Sequence, residues 1–278
     1  MIHRSKTVTV LLYVLSMLVI AVSIYPFIYA VSTSLKTGTA LFNTEIFPTD
    51  PHLRNYKALF QGGQPFGKSL YNSLCIAFLT VGFAMLMGIT AAYALGRIRF
   101  QGKGLLLICI LAVSMFPQVA VLSGMFELIQ FLGLYNKALG LVVPYTIFTL
   151  PFTVWIMTTF MREIPLELEE AAIMDGCGPL RIIFQVFIPI LWPALISTAL
   201  LAFIGAWNEF LFALTFVIND TERTVPVAIS LISGTTAFEI PWGTIMAGSV
   251  LVTMPLLALV FVFQKRIVSG LTAGAIKG

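Results

Sequence analysis

Charged residues are scarce in this sequence: Asp, Glu, Lys and Arg together make up only 10% of its 278 residues. A soluble domain has about 25% charged residues, so this chain has too little charged surface to face water on all sides. Hydrophobic residues account for 59% of the chain and occur in long uninterrupted runs. The composition therefore predicts a membrane protein.

The chain is also poor in cysteine and histidine, which excludes several classes of site. Its three cysteines show no C-x-x-C or Cys/His spacing suited to a metal, and an odd number gives no disulfide framework. The two histidines, His3 and His52, lie outside the hydrophobic runs, so they cannot activate a serine within the membrane. The sequence contains no long run of like charges of the kind that indicates a nucleic-acid partner. We predict no catalytic residue, no metal site and no nucleic-acid binding.

Six hydrophobic segments are long enough to cross a bilayer. A span needs about 20 helical residues to cross about 30 Å of hydrocarbon. Because the segments are continuous and do not alternate with polar residues, they indicate helices and not the strands of a barrel. The predicted fold is an all-α, multi-pass membrane protein with a single transmembrane domain, residues 1–278. The predicted spans are 8–31, 69–95, 105–126, 138–161, 186–216 and 242–263.

The distribution of basic residues predicts the orientation of these spans. An even number of spans places both termini on one side of the membrane. Ten of the 16 Lys and Arg residues then lie in the four segments on that side, including the cluster Arg97, Arg99 and Lys103. Because basic residues are enriched in cytoplasmic loops, we expect both termini in the cytoplasm.

The segment between the fourth and fifth predicted spans, residues 162–185, is the most informative part of the chain. Pro165 suits the first turn of a helix, and Gly176 is a suitable residue to end it in the left-handed conformation. A second helix is predicted from Leu180. The first helix could enter a groove on a partner or lie on the bilayer surface, and its residues leave both alternatives open. One face of this helix is expected to present Leu168, Ala171, Ala172 and Asp175.

The spacing of residues in this segment resembles the EAA loop of ABC-importer permeases. Glu170-Ala171-Ala172 is followed after three residues by Gly176, and after nine more by Val186-Phe187-Ile188-Pro189. Asp175, directly before the glycine, is similar to the sugar-transporting branch, and the resemblance extends to Trp207-Asn208-Glu209-Phe210 and to the C-terminal tail from Lys265 to Gly278. The whole chain is similar to the second, shorter permease of maltose- and trehalose-type transporters, which are proteins of the prokaryotic plasma (inner) membrane.

The resemblance implies a set of partners and a role for the loop. The EAA helix would be a coupling helix that fits into one of two cytoplasmic ATPase subunits, and the tail Ala273–Gly278 would contact them as well. ATP and Mg²⁺ would be bound by these ATPases, so no cofactor is expected in this chain. The other implied partners are a second permease forming a heterodimer, an extracytoplasmic sugar-binding protein and membrane lipid. The residues implied in coupling are Glu169, Glu170, Ala171, Ala172, Asp175 and Gly176.

The resemblance also implies the class of solute, without naming one. The expected solute is a disaccharide such as trehalose or maltose, and the alternatives are another polyol or a glycerol derivative. An ATP-independent secondary carrier is a further alternative, although such carriers often have internal repeats and several charges within the membrane. In the family, the segment 217–241 faces the binding protein, and a plain solvated loop is the alternative for it.

Polar residues within the spans are candidates for the translocation path. Glu209 could line the path or make a structural contact with a helix of the partner, because an ionisable group at membrane depth is costly without a cavity or a partner. Residues 62–69 match the G-x4-G-K-S phosphate-binding pattern, but a membrane span follows them instead of a cytosolic helix, so we expect no nucleotide site there. The path candidates are Ser114, Gln118, Asn208 and Glu209.

Overall fold

A computed structural model describes residues 6–43, 45–61, 65–233 and 240–273. These residues form helices and connecting loops, with no strand among them. The α-helices are α1 Lys6–Ser34, α2 Arg54–Gln61, α3 Phe66–Gly96, α4 Lys103–Ser114, α5 Gln118–Phe131, α6 Val142–Glu163, α7 Leu166–Met174, α8 Pro179–Arg181, α9 Ile188–Ile190, α10 Trp192–Trp207, α11 Leu211–Phe216, α12 Val225–Ser230 and α13 Trp242–Ala273. Two 3₁₀ helices, Gly38–Phe42 and Ala138–Leu141, and a π-helix, Ile182–Phe187, complete the helical structure.

Four helical segments are long and hydrophobic enough to cross a membrane without interruption. They are Thr7–Ser34, Phe66–Gly96, Ala138–Glu163 and Trp242–Gln264, and they coincide with the first, second, fourth and sixth predicted spans. The other two predicted spans, 105–126 and 186–216, are not straight. The structure therefore has four to six spans, depending on whether each bent pair is one span.

Prolines explain why the third and fifth predicted spans are bent. The axes of α4 and α5 differ by 93°, with Pro117 immediately before α5. The segment Pro179–Ile190 and α10 differ by 89°, and Pro193 lies in the first turn of α10. Proline lacks an amide donor and disfavours helical geometry in the preceding residue, so it is accommodated at the start of a new helix. Each of these two predicted spans is therefore a pair of helices joined at a bend.

The chain forms two compact units, residues 1–66 with 229–255 and residues 67–228 with 256–278. The first unit joins the end of α1 to α2 through buried polar groups. The buried Lys36 ammonium donates to the carbonyls of Asn43 and Glu45, and the Asn55 amide donates to the carbonyls of Ser34 and Lys36 at 2.8 Å each. The bonds from Asn55 satisfy the carbonyl of Ser34 at the end of α1, which lacks an intrahelical partner, and that of Lys36 two residues later.

Helix α6 lies at the centre of the second unit, where it contacts both α4 and α10. Helix α3 approaches α6 closely at Gly88, since a β-carbon there would lie 2.6 Å from the side-chain methyl of Thr153. Small residues permit this kind of close packing between membrane helices. At Gly82, in contrast, a β-carbon would meet nothing within 4 Å. Of these two glycines in α3, only Gly88 lies at a close contact.

Candidate functional site

Helix α7 and the turn that ends it form the centre of the candidate site. Gly176 has a φ of +79°, a value that side chains disfavour. The Gly176 amide donates to the Ile173 carbonyl at 2.9 Å, and the Cys177 amide donates to the Ala172 carbonyl at 3.0 Å. This pair of bonds defines a Schellman motif and satisfies two carbonyls of the last turn. The predicted end of the helix at Gly176 is confirmed.

The inward face of α7 is rotated from the face that the sequence indicated. Ala172 is buried within the chain, where it belongs to a hydrophobic cluster with Met161 and Ile183. The side chain of Glu169, one turn earlier, is only 12% exposed. Residues three apart on a helix are neighbours on its surface. The expected single face is therefore divided, because Leu168, Ala171 and Asp175 are exposed while Ala172 is buried.

The guanidinium of Arg97, one residue beyond α3, lies at the base of the loop. Its side chain is only 3% exposed, and its Nε lies 3.5 Å from Oε2 of Glu169. Its Nη2 donates to the carbonyl of Ile164, just before α7. Its Cζ lies 5.1 Å from the ring centroid of Phe187, a cation–π geometry. One buried cation thus contacts the backbone between α6 and α7, α7 itself and the π-helix that follows.

Glu169 has a second partner on α3. The hydroxyl of Tyr93 donates to Oε1 of Glu169 at 2.8 Å, and the ring of Tyr93 packs on Phe187 with centroids 5.9 Å apart. Both carboxylate oxygens of Glu169 therefore face groups at the end of α3. A buried charge is stable only with compensating partners. The inner side of α7 is thus attached to α3 by a compact set of polar contacts.

Sequence reasoning treated Arg97 only as a marker of topology and missed these contacts. The available signal was the four-residue spacing of Tyr93 and Arg97, which places two polar side chains on the same face as α3 ends. That pattern alone does not identify Glu169 as the partner, since the two segments are more than 70 residues apart.

The outward side of the loop is exposed and partly hydrophobic. Met174 is 87% exposed and directly precedes the turn at Gly176. Of the residues implied in coupling, Glu170, Ala171, Asp175 and Gly176 are exposed, whereas Glu169 and Ala172 face the chain. Exposed hydrophobic side chains mixed with polar ones are typical of a protein interaction site. The other exposed hydrophobic residues of the loop are Leu166, Leu168, Ile173, Leu180 and Phe184.

The path candidates lie at two interruptions of the helices. Glu209 lies in the break between α10 and α11, where its carboxylate accepts the amides of Phe212 at 2.8 Å and Ala213 at 3.2 Å. It therefore caps α11 within its own chain. Asn208, beside it, is exposed.

The other two path candidates flank the bend between α4 and α5. The Ser114 hydroxyl donates to the carbonyl of Leu111 at 2.7 Å, within the last turn of α4. Gln118 is exposed at the start of α5.

Two other segments are described only in part. In the segment 62–69, residues 62–64 lie outside the described residues, and the remainder leads into α3, which begins at Phe66. The end of the tail, residues 274–278, also lies outside the described residues.

Comparison with known proteins shows the family. Residues 63–272 match the family described as "binding-protein-dependent transport system inner membrane component". The chain is 38% identical to the trehalose transport system permease protein SugB of Mycobacterium tuberculosis (strain CDC 1551 / Oshkosh), over 95% of this chain and 96% of that protein. It is 40% identical to the trehalose/maltose transport system permease protein MalG of Thermococcus litoralis, over 97% of each chain.

A third relative and a solved structure extend this result. The chain is 41% identical to the sulfoquinovosyl glycerol transport system permease protein SmoH of Agrobacterium fabrum, over 92% of this chain and 89% of that protein. Its fold is similar to that of a chain in a bacterial ABC transporter involved in the import of the acidic polysaccharide alginate. The TM-score is 0.80, with 23% identity over 95% of this chain and 99% of that chain.

These results confirm the resemblance to ABC-importer permeases, the location in the inner membrane and the assignment as a non-catalytic subunit. The chain belongs to the family of inner membrane components of binding-protein-dependent transport systems.

Proposed function

We propose that the chain is one of the two membrane-spanning subunits of an ATP-driven importer of sugars. The observation that supports this most directly is the structure of the 162–185 loop. Its outer side exposes hydrophobic and polar residues suited to a protein partner, and its inner side is attached to α3 through Glu169. A loop of this kind can pass a force from a bound partner to a membrane helix.

The proposed assembly has a second permease subunit, two ATPase subunits and an extracytoplasmic binding protein. The family description, which names binding-protein-dependent transport, supports the last partner. A similar chain with a TM-score of 0.65 occurs in a bacterial alginate ABC transporter in complex with a pentasaccharide-bound periplasmic protein. ATP and Mg²⁺ are bound by the ATPases in this proposal.

In the proposed orientation, α7 and both termini are cytoplasmic. Closure of the ATPase dimer displaces α7, and the contacts of Glu169 with Tyr93 and Arg97 pass the displacement to α3. The spans then change between inward-facing and outward-facing states, as in other two-state transporters. Glu170, Ala171, Asp175 and Gly176 lie on the side that faces the ATPase.

The proposed path includes the polar residues at the two helix interruptions. Interrupted helices leave backbone groups unpaired, and in transporters such interruptions lie at cavities that contain the substrate. Asn208 is exposed at one interruption and Gln118 at the other. Glu209 supports the path indirectly, because it holds the start of α11 in place.

The proposed solute is a disaccharide, with trehalose or maltose first. Two relatives are named for trehalose or for trehalose and maltose, which supports this choice. The relative named for sulfoquinovosyl glycerol supports a glycerol derivative as the second candidate.

Reconstitution in liposomes tests the proposal. The complex of this subunit, its second permease and its ATPases is assayed for ATP hydrolysis with the binding protein and a panel of sugars. Trehalose or maltose is expected to stimulate hydrolysis, and vanadate is expected to stop uptake. Uptake that continues in vanadate would instead identify an ATP-independent carrier. Stimulation by sulfoquinovosyl glycerol alone would assign the second candidate solute.

A further inference from the structure

The end of α3 opposite to α7 holds a second loop through buried polar side chains. The amide of Asn72 donates to the carbonyls of Thr221 at 2.9 Å and Arg223 at 3.1 Å. The hydroxyl of Ser73 accepts the amide of Val225 at 2.8 Å. Both side chains on α3 are buried. A buried amide that loses its partners costs about 1–3 kcal/mol, so these bonds hold the loop firmly against α3.

Residues 217–224, which we name the far segment, are also held from the turn after α5. Asn136 adopts a φ of +59°, and its side-chain oxygen accepts the amides of Ile218 at 2.9 Å and Asn219 at 2.8 Å. The carboxylate of Glu222 accepts the amide of Ala138 at 2.8 Å. The far segment is thus fixed on two sides.

Helix α3 connects the far segment to α7 without interruption. Ser73 and Tyr93 are 20 residues apart, which corresponds to about 30 Å at about 1.5 Å per residue. This length is close to the thickness of the hydrocarbon core, about 30 Å. Of the five described helices with 16 residues or more, α3 is the one whose sequence contains no proline. Proline is the commonest cause of a bend in a helix, so α3 is the span best suited to move as one body.

We propose that α3 is a rigid link between the coupling helix and the far segment, with Asn72 and Ser73 as positioning residues at one end and Tyr93 and Arg97 at the other. A displacement of α7 then moves the far segment together with α3. By thermodynamic reciprocity, a partner that shifts the far segment also shifts α7. This inference rests on the proposed function and on the expectation, from the family resemblance, that the segment 217–241 faces the extracytoplasmic binding protein.

The test measures ATP hydrolysis by the reconstituted complex as the concentration of sugar-loaded binding protein is raised. Asn72→Leu keeps the size of the side chain and removes the two bonds to the far segment. If α3 transmits the signal, the maximal stimulation falls by roughly fivefold or more, the lower end of typical coupling between sites. The concentration of binding protein that gives half of the maximal stimulation stays within about twofold of the wild-type value.

A purely local role for Asn72 predicts the opposite pattern. If Asn72 only orders the docking surface, the half-saturating concentration rises and the maximal stimulation is retained. That result, or a variant with both parameters unchanged, would overturn the rigid link. If Asn72→Leu does not assemble with its partners, Ser73→Ala provides the same comparison with the loss of a single acceptor.

A matched control lies on the same helix. Thr80 is fully buried in α3 and its hydroxyl has no hydrogen-bond partner in the described part of the chain. Thr80→Val therefore alters a buried polar residue of α3 without affecting either end of the link, and wild-type stimulation is expected. Loss of stimulation in this control would show that any buried change in α3 has the effect, which contradicts the assignment. Absence of stimulation in the wild-type complex would refute the proposed function itself.

Discussion

The guanidinium of Arg97 lies 3.5 Å from the carboxylate of Glu169, and both side chains are almost entirely buried. The pair joins the end of α3 to a helix that follows it by some 70 residues along the chain. Since neither charge is well hydrated, each depends on the other for stability. Any partner that displaces α7 must move α3 or break this pair.

Removal of one charge from this pair should lower the free energy of unfolding more than removal of both charges. Arg97→Met leaves the Glu169 carboxylate buried without its cation, and breaking a buried pair costs about 3–5 kcal/mol. Arg97→Met combined with Glu169→Gln should recover part of this loss. Thermal unfolding of the purified complex measures the difference. Arg99→Met is the control, because Arg99 is exposed two residues away. Equal melting temperatures for all variants would contradict a stabilising pair.

Gly176→Val should abolish the coupling of ATP hydrolysis to transport. Residues other than glycine are strained by about 1–2 kcal/mol at the left-handed conformation of Gly176, and a β-branched residue is strained further. The Schellman motif would open and the outward side of α7 would lose its position. Sugar uptake and stimulated ATP hydrolysis in liposomes report the effect.

Gly178→Val is the matched control for this change. Gly178 lies two residues on with a φ of −76°, and a β-carbon there meets nothing within 4 Å. Valine is tolerated in that extended conformation, so uptake should be retained. Uptake that survives Gly176→Val equally well would exclude a role for the turn.

Met174→Glu should weaken the association of the subunit with the ATPases. Met174 is 87% exposed on the outward side of α7, so the change leaves the fold intact. A hydrophobic residue at the centre of an interface often contributes more than about 1 kcal/mol to binding, which corresponds to roughly fivefold in affinity. Co-purification of the ATPases at increasing dilution measures the loss. Met174→Leu should behave as the wild type, and full co-purification of the glutamate variant would place the interface elsewhere.

Glu209→Ala should destabilise the subunit more than Glu209→Gln does. Alanine leaves the amides of Phe212 and Ala213 without acceptors, and the loss of a helix cap costs about 0.5–2 kcal/mol. Glutamine keeps one acceptor oxygen. Thermal unfolding ranks the stability of the two variants. Transport assays distinguish the capping role of Glu209 from direct contact with sugar in the translocation path. The half-saturating sugar concentration should be unaffected by Glu209→Gln and raised by Asn208→Ala. The reverse pattern would make Glu209 the residue that contacts sugar.

Gly88→Ala should disturb the packing of α3 on α6. The added methyl group would lie 2.6 Å from the Thr153 methyl, and overpacking of this kind costs about 1–3 kcal/mol. Thr153→Ser removes that methyl and should restore stability to the Gly88→Ala variant. Gly82→Ala, on the same helix but with open space around it, should be neutral. Destabilisation measured by thermal unfolding in the Gly82 variant alone would contradict the close contact at Gly88.

The sequence was sufficient to identify the family and the four uninterrupted helices that are long enough to cross a membrane. Hydrophobic runs locate spans because the thickness of the bilayer sets their length, and the spacing of Glu170 and Gly176 is specific. Prolines such as Pro117 and Pro193 were expected to bend their helices, but the angles of 93° and 89° could not be predicted, because proline occurs both in straight membrane helices and at bends. Only the packing of neighbouring helices determines which outcome applies.

The rotation of α7 about its own axis could not be predicted from the sequence either. Ala171 and Ala172 are identical residues and adjacent in sequence, yet Ala171 is exposed and Ala172 is buried. The difference comes from Arg97 and Tyr93, more than 70 residues from Glu169, and from Ile183 in the π-helix that follows, which all meet α7 only in the folded structure. The local periodicity of the sequence does not indicate which distant residues will pack against the helix.

The π-helix Ile182–Phe187 determines the direction of Phe187. A π-helical turn contains about one residue more than an α-helical turn, which rotates every later side chain by about 100° relative to regular geometry. In a regular α-helix with the same number of residues, the ring of Phe187 would therefore no longer contact the guanidinium of Arg97. A single-residue deletion within this turn would offset that rotation and keep Phe187 near Arg97 in a regular α-helix, so the π-helix accommodates one extra residue between Gly176 and Pro189.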